Sequence, residues 1–404
     1  MTVKNKSIKL FLNDSINEGE FLYSLKTTAS VEMNNHKNKR RYPELLKPFI
    51  EELKKRFYKN TSVHNIMPLV DEDVLLACFK LLKDNYSKKA YKIHLESNLS
   101  YLLDRLKNQR YEFKPLRTKF INKKNKPRKV YIEEIEDKIV SKLMSIILEV
   151  AFLRNFKDFV YSYIPGRSCK CAFKAIDSNL KTQQEPYLLQ LDIYKCFDNI
   201  NMKIVKRLIK KRIKDLSFLK LLNKRFRIRR KSTLQGLATG AIISNIFLNK
   251  VFDSWYSETM SSKIQTWAIR YSDNFIFGID KPELSEALIA EFSSRLEQYG
   301  LKLNTSKTQF RDLSKESMKI FGLRSSYIDS SLELQIPDNK IIDIKEKLLK
   351  LSRTSKDKEK CLDDSYKLLL NHFNYYGIKN HLNIFLDLCN LAKGYISHCN
   401  SYKL

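Results

Sequence analysis

The chain has 404 residues, 43% hydrophobic and 30% charged, which suits a soluble globular protein with a large core and two or three subdomains. Its 75 Lys+Arg against 45 Asp+Glu leave a formal net charge of +30, which points to a polyanionic partner, nucleic acid first, or to AT-rich genomic drift; drift would also raise Glu and Asp. The longest apolar run, Ser145 to Leu153, contains Glu149 and falls short of the ~20 residues of a membrane span. The seven scattered cysteines include no C-x-x-C pair, and Cys169 and Cys171 are too close for a zinc knuckle, so a reduced, cytoplasmic setting without structural zinc is expected.

Apolar residues at three- and four-residue spacing predict helices over Tyr42 to Tyr58, Val70 to Asp84 and Lys92 to Lys107. Lys114 to Ile132 alternates basic and apolar residues around Asn125-Lys126-Pro127 and predicts a basic β-hairpin. Ile135 to Phe152 reads as a strong core helix, 187–193 as a strand, 201–224 as helices and 241–258 as one helix. Gln265 to Tyr271 and Phe275 to Ile279 predict two strands around a tight turn at 272–274, followed by a helix Pro282 to Tyr299 that Gly300 ends. Residues 340–404 read as helices with Lys-rich faces. The middle of the chain is thus a split βαβ pattern, an antiparallel sheet with helices on one face, in an α+β protein. Six of the nine glycines fall between 166 and 322, marking where the backbone geometry is most demanding.

Two aspartates stand out against this frame. Asp192 ends the strand Leu189-Gln190-Leu191, and Asp273 lies in the turn of Arg270-Tyr271-Ser272-Asp273-Asn274. Alone, each is an ordinary turn residue. Together, carboxylates on neighbouring strands suit a pair of divalent cations about 3.5–4 Å apart, as nucleotidyl transfer requires.

From about Leu102 to Ser325 the chain resembles reverse transcriptases. Leu191-Asp192 through Phe197-Asp198 is similar to the first palm motif, and Gln235-Gly236-Leu237-Ala238-Thr239-Gly240 through Asn245 to the Q-G motif. Tyr271-Ser272-Asp273-Asn274 resembles the Y-x-D-D turn, Gly300-Leu301-Lys302-Leu303-Asn304 through Lys307 the fourth motif, and Ile320-Phe321-Gly322 the primer-grip hairpin. Lys126-Pro127-Arg128, Asp137-Lys138-Ile139-Val140 and Pro165-Gly166-Arg167-Ser168 resemble motifs of the fingers.

The resemblance implies a right-hand polymerase. It would have an N-terminal helical extension (1–100), fingers (101–186), a palm (187–325, with fingers helices inserted at about 201–234) and a helical thumb (326–404). Asp192 and Asp273 would be catalytic and hold two Mg²⁺ ions, or Mn²⁺, with Asn274 and the Ile193 carbonyl as further ligands. Lys307 would protonate the leaving pyrophosphate, or be a surface lysine. Lys126 and Arg128 would reach the triphosphate, or form a solvated hairpin. Phe197 would exclude a ribose 2′-hydroxyl, or pack in the core. Gln235 would contact the incoming nucleotide, and Gly236 would let the backbone approach it.

Two departures matter. Asn274 replaces the second aspartate of the turn, and an amide oxygen ligates a hard cation more weakly than a carboxylate does. Gly240-Ala241 stands where intron and retron enzymes usually have Ser-Pro, which points instead to the "unknown group" and abortive-infection enzymes of bacterial antiphage defence. Lys345, Lys347, Lys350, Arg353, Lys356, Lys358 and Lys360 would line the thumb, and Phe373-Asn374-Tyr375-Tyr376 would stack on bases or pack between helices.

The implied function is RNA-directed DNA synthesis from dNTPs on an RNA template, a dedicated non-coding RNA among the options. A second polymerase subunit or a second copy would be the protein partner, and no membrane is involved. Two rivals stand beside it: an RNA-dependent RNA polymerase, disfavoured by Phe197, and a catalytically silent nucleic-acid-binding subunit, motivated by Asn274.

Overall fold

A computed structural model describes residues 3–25, 42–82, 85–123, 126–227, 236–260, 266–355, 357–376, 381–397 and 399. The chain forms two units: one from Lys39–Pro165 and Leu189–Gln309, the other from Met1–Asn38, Gly166–Leu188 and Phe310–Leu404.

The core of the first unit is the helix Ile135–Phe152. It is apolar nearly all round, so it has no face to give to solvent, and every residue from Ile139 to Phe152 except Lys142 is buried. Helices Lys47–Lys59, Glu72–Leu81, Asn85–Ile93 and Leu95–Lys107 surround it. The expected helix at 92–107 begins at Leu95, because His94 leaves helical geometry and separates it from Asn85–Ile93. Polar groups buried with the core helix are paired: Asp137 accepts from Tyr111 Oη at 2.5 Å and Lys114 N at 3.1 Å, and Glu149 accepts from Tyr42 Oη.

The basic hairpin forms as expected. Strand β1 (Arg117–Lys123) runs antiparallel to β2 (Lys126–Ile132), in a register from Arg117↔Ile132 to Lys123↔Lys126. The expected helical stretch at 201–224 divides into Met202–Arg212 and Leu216–Arg227. Asp215 makes the division. Its carboxylate caps the second helix at Phe218 N (2.8 Å) and also accepts from Ile66 N (2.5 Å) and Met67 N (2.9 Å).

The strand β3 (Tyr187–Asp192) enters this unit at Leu189, and β5 (Asn274–Gly278) lies between it and β4 (Trp267–Tyr271). Behind these strands, Phe252, Phe275 and Phe292 interlock with ring centroids 4.5–5.0 Å apart. The expected helix at 241–258 is instead Ala238–Leu248 followed by two π-helical turns, Asn249–Asp253 and Tyr256–Met260. The wider turns accompany the burial of both Phe252 and Asp253 on consecutive positions.

In the second unit, the strands Met318–Ile320, Leu323–Ile328 and Ser331–Gln335 form an antiparallel meander. Phe321 (φ 45°) and Gly322 (φ 92°) make its first two-residue turn, where the paired positive φ values match the strand twist. Helices Asp338–Thr354, Lys358–Tyr376 and Leu382–Ser397 pack on one another, and the N-terminal helix Val3–Leu12 packs on the last two. Lys9 Nζ pairs with Asp363 at 2.8 Å, and Phe11 stacks on Phe21 at 4.3 Å. Phe373 is buried edge-on to Phe385, so it serves packing, while Tyr375 donates to the Phe321 carbonyl at 2.7 Å. Among the described residues no helix is long and apolar enough to cross a membrane.

Candidate active site

The register Tyr271↔Asn274 leaves only Ser272 and Asp273 to connect β4 and β5. A two-residue hairpin of this kind needs a positive φ, usually supplied by glycine; here Ser272 adopts φ 62°. The surroundings hold that conformation from both sides. Ser272 N donates to Ser162 Oγ at 2.7 Å, and the Ser272 carbonyl accepts from an Arg270 guanidinium nitrogen at 3.0 Å. Arg270 is itself locked by two parallel bonds to Asp253, 2.7 and 2.6 Å, and by Asn245 Oδ1 at 3.0 Å. Asn245 then donates to the Ser162 carbonyl at 2.8 Å, which closes the loop of contacts. Both side chains of the Arg270–Asp253 pair are fully buried. An ion pair so buried adds little net stability, but it fixes geometry, because any displacement strands a charge.

The turn brings Asp273 beside Asp192. Ile193 N donates to the Asp273 carbonyl at 3.3 Å, and Asn304 N to the Asp192 carbonyl at 2.8 Å. The Asp192 side chain is 98% buried and receives three donors: Lys307 Nζ at 3.0 Å from both oxygens, Asn304 Nδ2 at 2.8 Å and Asn274 Nδ2 at 3.0 Å. Burial, followed by repulsion from Asp192, raises the Asp273 carboxyl above the ordinary range. Among the described residues no group of three or more His, Cys, Asp or Glu is assembled here or elsewhere; the site is two carboxylates with amide and ammonium neighbours.

Asn274 takes part in an unanticipated way. Its Oδ1 accepts from Gln190 Nε2 at 2.8 Å, so its amide nitrogen faces Asp192. Gln190 is buried two residues upstream of Asp192 on β3, and its own Oε1 has no partner among the described residues.

The remaining expected residues are dispersed. Phe197 lies half-buried on the single helical turn Cys196–Asn199. Lys126 and Arg128 sit on β2, but their side chains lie outside the described residues, as does Gln235 altogether. Gly236 has φ +106°, and a Cβ there would stand 2.6 Å from the Tyr131 carbonyl oxygen; the backbone that approaches it is that of β2. Glu133, just beyond β2, accepts from Ala238 N, tying the base of the hairpin to the helix that follows Gly236.

With this geometry established, residues 89–325, more than half of the chain, match the family described as reverse transcriptase (RNA-dependent DNA polymerase). The chain belongs to the reverse transcriptase family. It is 26% identical over 201 residues to an uncharacterized 91 kDa protein in the cob intron of Schizosaccharomyces pombe, covering 45% of this chain and 25% of that protein. It is 29% identical over 168 residues to the group II intron-encoded protein LtrA of Lactococcus lactis, 39% of this chain and 28% of that one. Protein YkfC of Escherichia coli is 24% identical over 304 residues, 64% of this chain and 80% of YkfC. The chain therefore spans about a quarter of the first two relatives.

Within this member of the family, the contacts that hold the turn follow no motif. Arg270 carried one legible signal: a guanidinium in the middle of an apolar strand must find a buried partner. Nothing local to Asp253, Ser162 or Gln190 announced that they would supply these contacts.

Proposed function

We propose that the protein is an RNA-directed DNA polymerase whose centre is Asp192 and Asp273. The observation that supports this most is the pairing of a buried Asp192 with a turn-borne Asp273 at adjoining strand ends, inside a reverse transcriptase domain. The donor set fits divalent cations. Carboxylate oxygens suit a hard ion, the repulsion that raises Asp273 is relieved by positive charge, and Lys307 already places a cation on both Asp192 oxygens. Asp192 and Asp273 would hold two Mg²⁺ ions, with Mn²⁺ as the alternative and the Ile193 carbonyl and Asn274 nearby. When bound, such ions supply activation of the attacking hydroxyl and charge neutralisation on the triphosphate.

The chain's own groups take the remaining roles. Lys307 is positioned to give a proton to the departing pyrophosphate, since its ammonium is partly exposed above a buried carboxylate. Phe197 stands in the sugar-discriminating position and selects deoxynucleotides. Lys126, Arg128 and Gln235 contact the nucleotide, and Gly236 sets the path of the loop between hairpin and helix. Fingers, palm and thumb follow the assignment made from the motifs. Asn274 and Gly240-Ala241 support placement among the cytoplasmic, defence-associated enzymes, with a structured RNA as template and a second polymerase chain as partner.

Incorporation of labelled dNTPs on a primed RNA template, with Mg²⁺ and with Mn²⁺, tests the reading. Asp192→Ala is expected to lower it by at least ~10³-fold, about 4 kcal/mol of lost transition-state stabilisation. Wild-type activity in that variant would remove the assignment, and a preference for ribonucleotides would make it an RNA polymerase. One observation favours a second reading, a silent nucleic-acid-binding palm: Asn274 presents its amide nitrogen, not its oxygen, to Asp192. Inactivity with both ions alongside salt-dependent RNA binding would select it.

A further inference from the structure

Between Asn199 and Phe252 the only acidic residue is Asp215, and its carboxylate is taken up by the backbone N–H groups of Ile66, Met67 and Phe218. The helix Met202–Arg212 turns Met202, Val205 and Ile209 into the core. Lys203, Lys206, Arg207, Lys210 and Lys211 follow at three- and four-residue spacing on its other side, and Lys214 extends the row past the helix end. Together the six line an open depression of about 430 Å³. Among the described residues none of them is in an ion pair. The neighbouring Arg212 is different: it points inward and donates to the carbonyls of Phe57, Asn60, Thr61 and Ala151.

Six clustered cations without counter-charges repel one another and cost folding stability, so the row needs a polyanion rather than an intramolecular partner. Lys206 registers the field. Burial, then Lys210 and Arg227, hold its ammonium below the usual lysine range, and its Nζ lies 5.6 Å from the Phe226 ring centroid. Among the described residues no aromatic side chain lines the depression. Proteins grip single strands by stacking bases on aromatic rings, whereas a base-paired stem is held through its backbone and shape. A flat cationic row on a rigid helix matches the second mode. None of the six contacts Asp192, Asp273, Asn304 or Lys307, so the surface is separate from the catalytic contacts.

We propose that the face Lys203–Lys214 docks the phosphate backbone of a base-paired RNA stem lying outside the segment that is copied. The choice of RNA rests on the reading of the chain as an RNA-templated polymerase. The test is fluorescence anisotropy of the full chain with an RNA hairpin of about 16 base pairs, the span of other shape-reading domains, across a range of salt. The variant K203Q/R207Q/K210Q/K211Q is expected to bind the hairpin at least ~10-fold more weakly. Its log–log salt slope should be shallower by about three to four, because each lost phosphate contact removes roughly one released counterion.

Binding of an unpaired RNA of the same length should be unchanged. An unaltered slope and affinity for the hairpin would overturn the proposal, as would an equal loss on unpaired RNA. Tighter binding of a DNA duplex than of the RNA stem would overturn the choice of RNA. If the quadruple variant does not fold, K203Q/R207Q and K210Q/K211Q are each expected to lower the slope by about two. Asp192→Ala should bind the stem like wild type. A chain that makes no DNA but shows the slope change would thus refute the polymerase reading while leaving the docking surface intact.

Discussion

At the Ser272–Asp273 turn Arg270 and Asp192 are each met by several neighbours, whereas along Lys203–Lys214 six cations meet no counter-charge among the described residues. Arg270 has Asp253, Asn245 and the Ser272 carbonyl; Asp192 has Lys307, Asn304 and Asn274. Among the described residues the helix face meets no acidic side chain and makes one lysine–ring contact. Charges that must hold a fixed geometry are buried and over-determined, because a low-dielectric site penalises any misplacement. Charges that meet a large, variable polyanion stay hydrated and mobile, because they act through their field and through counterion release.

Four measurements sharpen or break that contrast. The largest effect is expected from Arg270→Met, which leaves Asp253 buried and unpaired: about 3–5 kcal/mol less stability in urea unfolding, with loss of incorporation. A change under 1 kcal/mol would mean the pair does not hold the turn. Gly236→Ala combines a positive φ with a Cβ placed 2.6 Å from the Tyr131 carbonyl, and about 2–3 kcal/mol of destabilisation is expected. A neutral result there would show that hairpin and helix are loosely joined.

Glu133 gives a smaller and pH-dependent effect. Burial pushes its carboxyl from 4.5 up to about 7, opposed chiefly by Arg225. The folded state therefore holds this proton more tightly than the unfolded chain. The associated stability is complete below about pH 4.5 and is lost as pH rises through about 7. Thermal melts at pH 5.5 and 8 should differ less in Glu133→Gln than in wild type, by on the order of 1–2 kcal/mol. Equal differences would place the proton elsewhere. The smallest effect belongs to the exposed row: K210Q/K211Q should shift stability by no more than about 0.5 kcal/mol. A loss of several kcal/mol would make those lysines structural and remove the contrast.

The ends of β3 and β4, the basic hairpin and the core helix Ile135–Phe152 were legible because each follows from local pattern: a β-favouring run closed by a polar turn, alternation around Pro127, apolar residues on all sides. Helices over 201–224 were legible, but their division at Asp215 was not, because two of the residues it serves, Ile66 and Met67, lie about 150 positions away. The π turns after Leu248 were missed because an unbroken apolar period reads as one helix, whatever Asp253 has to reach. The packing of Val3–Leu12 on the C-terminal helices joins the two ends of the chain, and no window of sequence contains both.

Asp192 and Asp273 were marked by sequence alone, since strand-end carboxylates in ordered motifs are a one-dimensional signal. How they are held was decided only in three dimensions. Gln190 orients Asn274, Asn274 and Lys307 meet Asp192, and Ser162, Asn245 and Asp253 brace Arg270 behind the turn. The reason is physical: a buried polar group must be satisfied, but any element that reaches it can supply the partner, and which one does is settled by packing.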